Sequence, residues 1–279
     1  MTAVPSPEFA SSAEASPRTR PPLARRRLFG YDFVDESDLR RVALDLLEYV
    51  DGDGAGDAMP VVVTPNVDHV VQFSSAPAAA RRVVDRSRWC LPDGQPIVWA
   101  SRILGRPLAT RLAGSSLVEL LFTDPTLPLG NVVVVASDES IANQVRHTTP
   151  NALALVAPHF AATDDAAISD FVAAHLASIV ARRPQLVFVG IGFPKDLLMI
   201  DALLEAWPSD VDRPVILAVG ASFEMLFGFR TRAPDWVQRC GLEWFYRFLQ
   251  EPRRLFVRYF VRDPEFVLLV AREWRTRAR

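Results

Sequence analysis

The sequence has 279 residues, 49% of them hydrophobic, and a formal net charge of -2 at pH 7. This length and composition predict a globular protein with a buried core, and the near-neutral charge excludes a protein that binds nucleic acid through its overall charge. Two cysteines and four scattered histidines form no ligand pattern, which favours a reduced, cytoplasmic protein without zinc.

The N-terminal residues 1–26 are rich in proline, serine, alanine and arginine, and they contain no continuous apolar segment of the kind that a signal peptide needs. We expect a disordered tail here, followed by an α/β core over residues 27–234. The longest apolar run, residues 215–229, contains Glu224 and is shorter than the ~20 residues of a membrane-spanning helix. No transmembrane helix is therefore predicted.

Five apolar runs rich in β-branched residues predict fully buried strands. They cover residues 60–64, 131–136, 152–157, 185–191 and 214–220. The intervening segments have helical periodicity, with start signals at Ser37, at Ser115 and after Thr163. This alternation predicts a Rossmann-like fold, in which a mostly parallel sheet is flanked by helices.

Ligands of such sheets bind beyond the carboxyl ends of the strands, so the loops there are the candidate sites. The four loops are TPNVDH at 64–69, LPDGQP at 91–96, GIGFPKD at 190–196 and VGASFE at 219–224. Thr64 and Asn66 would follow a strand, where they can cap the next helix or bind a ligand. Asp93 precedes Gly94, which is typical of an Asp-Gly turn, but a carboxylate there can equally act as a general base.

The loop GIGFPKD joins a buried strand to the next helix. Gly192 would let the backbone approach a phosphate closely, while the N-terminus of the helix supplies a positive potential. The loop lacks the GxGxxG pattern of dinucleotide sites, and an ordinary tight turn remains the alternative. Lys195 is the only lysine in the sequence, and its compact ammonium group weakly favours an anion site in this loop.

Two Asp-x-Asp pairs are candidates for binding a divalent metal ion, Asp51 with Asp53 and Asp210 with Asp212. Both pairs lie in acidic loops flanked by glycine or proline, which are typical of solvated turns. We therefore predict no metal site.

From about residue 235 the sequence becomes rich in aromatic residues and arginine without strand signals, which predicts a helical C-terminal appendage over residues 235–279. Its aromatic stripe consists of Trp244, Phe245 and Phe248. The arginines on one face are Arg247, Arg254 and Arg258. The stripe favours packing onto the core, and the arginines favour either a solvated face or contact with anionic lipid or a diphosphate.

In their order and spacing these motifs resemble the WecG/TagA/CpsF family of glycosyltransferases. The resemblance covers roughly residues 28–260 and is carried by five segments. They are TPN at 64–66, LPDGQPIVWASRILGRPLATRLAG at 91–114, VGIGFPK at 189–195, VGASFE at 219–224 and RAPDWVQRCGLEWFYRFLQEPRRLFVRY at 232–259. The last segment is the most specific, because so long a run of Arg, Pro, Trp and Tyr rarely arises by chance.

The resemblance implies an enzyme that transfers a sugar, typically N-acetylmannosamine or a relative, from a UDP-sugar donor to a sugar linked to polyprenyl diphosphate. The reaction would take place at the inner face of the membrane and would invert the anomeric carbon without a metal ion or another cofactor. It would serve cell-surface or exopolysaccharide biosynthesis. The implied partners are the donor, the lipid-linked acceptor and an anionic membrane surface, with no nucleic acid.

The resemblance also assigns roles to single residues. Asp93 aligns with the family's proposed catalytic base, and Thr64 and Asn66 align with polar residues near the reacting sugar. The arginines of the appendage, which in the family closes over the active site and helps membrane association, correspond to Arg247, Arg254 and Arg258. The other substrate-binding positions that it implies are Gly94, Arg111, Gly114, Gly192, Pro194, Lys195, Asp196, Gly220 and Glu224.

Three positions depart from the family pattern around the donor site. Where the family has GTD, this chain has Gly114-Ser115-Ser116 and so lacks the carboxylate. Asp196 replaces the glutamine of the family's PKQE, and Glu224 replaces the aspartate of VGASFD. A carboxylate at 196 would repel a nucleotide diphosphate unless Lys195 pairs with it. We therefore expect a member that uses a different UDP-hexose or acceptor.

Two other functions fit the same residues. A catalytically impaired relative could bind a nucleotide-sugar or act as an assembly module, which the changed donor motifs favour. A soluble nucleotide-binding α/β protein whose C-terminal helices belong to the core is the second alternative. The sequence leaves open whether the chain forms a homo-oligomer.

Overall fold

The computed structural model describes residues 21–49, 58–162, 164–230 and 264–277, together with the isolated positions 234, 237, 246 and 249. Eight strands of these residues form one sheet in the order β1-β2-β4-β3-β8-β7-β5-β6. The strands are β1 Arg25–Leu28, β2 Tyr31–Val34, β3 Met59–Val63, β4 Ser87–Cys90, β5 Val132–Ala136, β6 Ala152–Val156, β7 Leu186–Val189 and β8 Val215–Ala218. Every pairing is parallel except β1 with β2. The predicted Rossmann-like α/β fold is confirmed.

Helices cover both faces of this sheet. They are α1 Leu39–Leu47, α2 Val67–Gln72, α3 Ala78–Arg86, α4 Gln95–Ile103, α5 Gly114–Thr123, α6 Glu139–Thr148, α7 Asp165–Ala181, α8 Lys195–Ala206, α9 Ser222–Leu226 and α10 Pro264–Arg277. Aspartate side chains accept backbone N–H groups at three helix starts, with Asp38 capping α1, Asp138 capping α6 and Asp164 capping α7. The cap of α1 is thus one residue beyond the predicted Ser37, and α5 begins at Gly114, one residue before Ser115.

The core lies on both sides of the sheet because the side chains of a strand alternate between its faces. In β5, Val133 and Val135 belong to the cluster that also contains residues of α3, α7 and α8. Val132 and Val134 belong to the opposite cluster, with residues of α1, α5 and α6. Both faces are covered, so the strand has no polar side, and all five of its residues are buried.

Three strands of the sheet were not predicted: β1, β2 and β4. Each is four residues long and mixes charged or polar residues with apolar ones. β1 lies at the edge of the sheet with its three arginines exposed, as is common for edge strands. Because β1 begins at Arg25, the sheet includes the last two residues of the tail predicted over 1–26.

The C-terminal helix α10 packs against the turn between β1 and β2. The ring of Phe266 lies 5.1 Å from that of Phe29, centroid to centroid. The N–H of Phe29 donates to a carboxylate oxygen of Glu273 at 2.8 Å, and a second oxygen of Glu273 lies 3.5 Å from Nη1 of Arg106. One end of the predicted appendage therefore docks on the α/β core.

The remainder of the appendage, with the predicted stripe Trp244, Phe245 and Phe248 and the three predicted arginines Arg247, Arg254 and Arg258, lies outside the described residues. So do Asp51 and Asp53 of the first Asp-x-Asp pair. In the part of the chain that the structure covers, no helix has the length and apolar character needed to span a membrane.

Candidate active site

A cleft of about 290 Å³ lies where the loops after β3, β4, β7 and β8 meet. These are four adjacent strands of the sheet, and because they are parallel their carboxyl ends share one edge. Predicted site residues from all four loops line the cleft, namely Thr64, Asn66, Asp93, Gly192, Asp196 and Gly220. The topology thus brings together residues that are up to about 160 positions apart in the sequence.

The TPN loop is fixed by its own hydrogen bonds. The hydroxyl of Thr64 donates to the carbonyl of Ala218 at 3.3 Å, which ties the end of β3 to the end of β8. Asn66 caps α2, because its side-chain oxygen accepts the N–H of His69 at 3.3 Å. In return, Nδ1 of His69 accepts the N–H of Asn66 at 3.4 Å. The capping interpretation is therefore right for Asn66, and the residue also lines the cleft.

The loop that carries Asp93 continues the pairing of β4 with β3 beyond the strands. The N–H of Leu91 donates to Val63 at 2.8 Å, and the N–H of Asp93 donates to Pro65 at 3.0 Å. The next residue, Gly94, has φ 157° and ψ 127°, and the chain bends there into α4. Asp93 lines the cleft, whereas Gly94 does not and lies next to Asn66.

The GIGFPKD loop supplies an open backbone and a buried acid. A methyl group added at Gly192 would meet no atom within 4 Å, so the cleft approaches the backbone there. Asp196, in the first turn of α8, is 5% exposed, and its Oδ1 accepts the N–H of Leu197 at 2.8 Å. Burial raises the pKa of Asp196 to about 7, which the hydrogen bond from Leu197 opposes. Near neutral pH this carboxyl group is therefore partly protonated.

Lys195 does not form the ion pair that would offset the charge of Asp196. Nζ of Lys195 lies 5.3 Å from the centre of the Phe160 ring, where the cation faces an aromatic surface. Burial of Asp196, rather than a neighbouring cation, is what lowers its negative charge. Lys195 and its neighbour Pro194 do not line the cleft.

Gly114 contributes through close packing. A Cβ atom at this position would lie 3.0 Å from both Oγ1 and Cγ2 of Thr64, which leaves no room for a side chain. Its neighbour Ser115 lines the cleft directly, whereas Arg111, half-buried in the preceding loop, does not. Glycine at 114 thus lets the start of α5 press against the TPN loop.

The model of the WecG/TagA/CpsF glycosyl transferase family matches residues 27–279. The chain belongs to this family. An N-acetylglucosaminyldiphosphoundecaprenol N-acetyl-β-D-mannosaminyltransferase of Bacillus spizizenii is 27% identical over 71% of this chain and 73% of its own length. An enzyme of the same name from Bacillus subtilis is 26% identical over 68% of this chain and 71% of its own length. One from Staphylococcus aureus is 22% identical over 83% of this chain and 87% of its own length.

In this member of the WecG/TagA/CpsF family, Glu224 contacts Arg230. Glu224 lies on α9 and forms an ion pair with Nε of Arg230, and the N–H of Arg230 donates to the carbonyl of Glu224 at 3.0 Å. Arg230 lines the cleft, and Glu224 does not. Gly220, with φ 50°, makes the turn that starts this segment after β8.

Several residues of the cleft escaped the sequence analysis. Apart from Arg230, they include Asp68 and His69 of the TPNVDH loop and Phe193 of the GIGFPKD loop. The rings of His69 and Phe193 stack at 4.7 Å, and this contact joins the two loops. Tyr31 comes from the unpredicted strand β2, and its hydroxyl donates to the carbonyl of His69 at 3.2 Å. Asp68, His69 and Phe193 lay in segments that the sequence had marked, whereas Tyr31 and Arg230 did not.

Within residues 21–49, 58–162, 164–230 and 264–277, no three histidine, cysteine, aspartate or glutamate side chains are grouped as metal ligands. Asp210 and Asp212 of the second Asp-x-Asp pair are exposed in the turn before β8. That turn precedes the strand, so it lies at the amino end, opposite the cleft.

Proposed function

We propose that this protein is an inverting, metal-independent glycosyltransferase. It moves a hexose or an N-acetylhexosamine, such as N-acetylmannosamine, from a UDP-sugar to a sugar linked to polyprenyl diphosphate, in cell-surface or exopolysaccharide biosynthesis. Family membership and the named activity of the relatives support this function. The observation that carries it is the position of Asp93 in one cleft with Thr64, Asn66 and Gly192.

In the proposed reaction Asp93 acts as the general base. Its carboxylate takes the proton from the acceptor hydroxyl while that oxygen forms a bond to the anomeric carbon of the donor sugar. The bond between this carbon and the β-phosphate oxygen breaks, and UDP leaves with the electron pair. Attack from the face opposite the leaving group inverts the anomeric centre. The main-chain bond from Asp93 to Pro65 holds the base beside Thr64 and Asn66.

The proposed leaving group is UDP, whose negative charge needs stabilisation without a metal ion. The N-terminus of α8, a helix of twelve residues, directs a positive potential toward the cleft at Gly192. Asp196 lines the same region, and in its protonated form it is a hydrogen-bond donor instead of a repelling charge. Both features favour a diphosphate on this side of the cleft.

The proposed catalytic function is tested by a panel of UDP-sugars with a short-chain lipid-diphosphate sugar as acceptor. We expect one donor to be transferred, and Asp93→Asn to lower kcat by about 10²-fold to 10⁴-fold because the base is lost. Asp138→Asn is the matched control, since it makes the same chemical change at a helix cap outside the cleft. An Asp93→Asn variant as active as the unaltered protein would refute the assignment of the base.

The same assay separates the proposed enzyme from a catalytically impaired relative. The departures at Ser116, Asp196 and Glu224 favour that alternative, which predicts binding of a UDP-sugar without transfer of any donor. Activity that EDTA abolishes and Mg²⁺ restores would contradict metal independence.

We further propose that the protein works as a peripheral protein at the inner face of the cell membrane, because its acceptor would be anchored there. Arg247, Arg254 and Arg258 would contact anionic lipid, at about 1 kcal/mol for each arginine near the surface. Replacing the three arginines by glutamine should therefore reduce co-sedimentation with vesicles of anionic lipid. Equal sedimentation of the two proteins would contradict this role, and vesicles of neutral lipid serve as the control.

A further inference from the structure

The charges that line the cleft are mostly negative. Among the described residues of its lining, Arg230 is the one arginine or lysine, beside the carboxyl groups of Asp68, Asp93 and Asp196 and the imidazole of His69. A nucleoside diphosphate is itself an anion, so the carboxylates of Asp68 and Asp93 repel it unless a cation offsets them, whereas burial reduces the negative charge of Asp196. Arg230 is therefore the side chain in the lining whose charge suits such a ligand.

Arg230 contacts Glu224 at two points. Its main-chain N–H donates to the carbonyl of Glu224 at 3.0 Å, and its Nε forms an ion pair with the carboxylate of Glu224. Gly228, with φ 75°, lets the chain reverse between the two residues. The Glu224 side chain is 19% exposed and that of Arg230 is 38% exposed, so the pair lies at the border between protein and cleft.

The chemistry of this pair suits a phosphate. A guanidinium that is paired through Nε still carries N–H donors on its two terminal nitrogens, in a planar fork that matches phosphate oxygens. Because the carboxylate already restrains the long side chain, less conformational entropy is lost when a ligand binds. The departure from the family pattern at Glu224 therefore has a physical role, which is to hold Arg230 at the cleft.

We propose that Arg230 binds the diphosphate of the nucleotide-sugar donor and that Glu224 is its positioning residue. The identity of this ligand rests on the proposed function. When the bond to the donor sugar breaks, charge develops on the β-phosphate oxygen, and a guanidinium held at this place stabilises it. Arg230 thereby supplies, from within the described residues, a cation in addition to those that the sequence had indicated in the appendage and at Lys195.

The inference is tested by calorimetric titration of the full-length protein with UDP and with uridine. Arg230→Ala should weaken UDP binding about tenfold or more, because a charged hydrogen bond is lost, and leave uridine binding unchanged. Arg230→Lys should weaken it less, since the charge remains and the fork is lost. Glu224→Gln should also weaken UDP binding, since Arg230 remains without its charged partner. Arg146→Ala, which breaks a surface pair with Glu139, is the control.

Three results would overturn the inference. The first is that the unaltered protein shows no measurable binding of UDP. The second is that Arg230→Lys binds UDP as tightly as the unaltered protein does. The third is that Arg230→Ala loses the same affinity for uridine as for UDP. The last result would indicate a role in folding alone. If no sugar is transferred but the arginine variants lose UDP affinity selectively, the proposed reaction fails and the diphosphate site stands. If Arg230→Ala still transfers the sugar and its KM for the donor is unchanged, the proposed reaction stands and the diphosphate site at Arg230 fails.

Discussion

The loops after β3 and β4 and the loops after β7 and β8 line one cleft, yet they are held by different interactions. On the first side, main-chain hydrogen bonds continue the sheet, from Leu91 to Val63 and from Asp93 to Pro65. On the second side, side chains dominate, with the buried acid Asp196 and the ion pair of Glu224 with Arg230. The loop of the proposed base is thus held in part by bonds between main-chain atoms. The proposed donor side depends on the ionisable side chains of Asp196, Glu224 and Arg230.

The departures that the sequence analysis noted lie on both sides. Ser116 is in α5 on the first side, and Asp196 and Glu224 are on the second. The different interactions that hold the two sides predict that substitutions on them have different kinetic effects.

After the loss of the base itself, the largest effect is expected from adding one methyl group on the side of the base. Gly114→Ala would place Cβ 3.0 Å from the side chain of Thr64, which would have to move by a few tenths of an ångström. A shift of about 1 Å in a catalytic site can cost about a hundredfold in rate, so we expect a smaller loss of kcat, of about tenfold. Steady-state kinetics of the transfer reaction measure it.

Gly192→Ala is the matched substitution on the donor side. The added methyl group would touch no protein atom within 4 Å, so the free energy of unfolding should be unchanged. The methyl group would narrow the cleft, and we therefore expect a higher KM for the donor with kcat retained. The comparison of the two sides fails if both alanine variants lose kcat equally.

Another prediction concerns the pH dependence of stability, through Asp196 on the donor side. The pKa of Asp196 is raised from 3.8 to about 7 by burial, so the folded protein binds a proton that the unfolded chain has released. This group's contribution to stability is therefore full below pH 3.8 and is lost as the pH rises through 7. Asp196→Asn should remove this loss, and the variant should be about 2 kcal/mol more stable than the unaltered protein at pH 8.

Urea denaturation at pH 5 and pH 8 measures this difference. Asp138→Asn is the control, because hydrogen bonds, first that from the Ser140 side chain, lower the pKa of Asp138. Its contribution is fully present above 3.8, so its substitution should not change the difference in stability between pH 5 and pH 8. A variant at 196 with the same pH dependence as the unaltered protein would show that the acid is ionised in the folded state.

The smallest effect is expected at the cap of α2. Asn66→Ala removes the side-chain acceptor for the N–H of His69 and should cost about 1 kcal/mol of unfolding free energy. Asn66→Asp keeps an acceptor and should recover most of it. Thermal unfolding of both variants gives the comparison, and an alanine variant as stable as the unaltered protein would mean that main-chain bonds alone hold the loop.

The sequence predicts the centre of the fold well and its margin poorly. Runs such as that of β5 are recognisable because both of its faces are buried, which requires apolar residues throughout. β1 and β4 have four residues each, with arginine among them, so neither alternation nor apolar content distinguishes them from loops. Their place depends on pairing with distant strands.

The candidate site divides in a similar way. Thr64, Asn66 and Gly192 could be assigned to one edge of the sheet because they follow predicted strands, and the carboxyl ends of parallel strands meet there. Asp93 follows β4, which was not predicted, so the strand pattern alone does not place it. The raised pKa of Asp196 could not be predicted, because it results from burial of the side chain in the folded protein. The pair of Glu224 with Arg230 spans six residues across an irregular turn, and no periodic spacing marks it.

The main-chain bonds of Asp93 have a practical consequence for redesign. These bonds join main-chain atoms of the loops after β3 and β4, so they do not depend on the side chains of the loops after β7 and β8. The hydroxyl of Thr64 and the ring of His69, in contrast, contact Ala218 and Phe193. Loops transplanted from a relative would therefore have to keep these two contacts if the TPN loop is to stay in place.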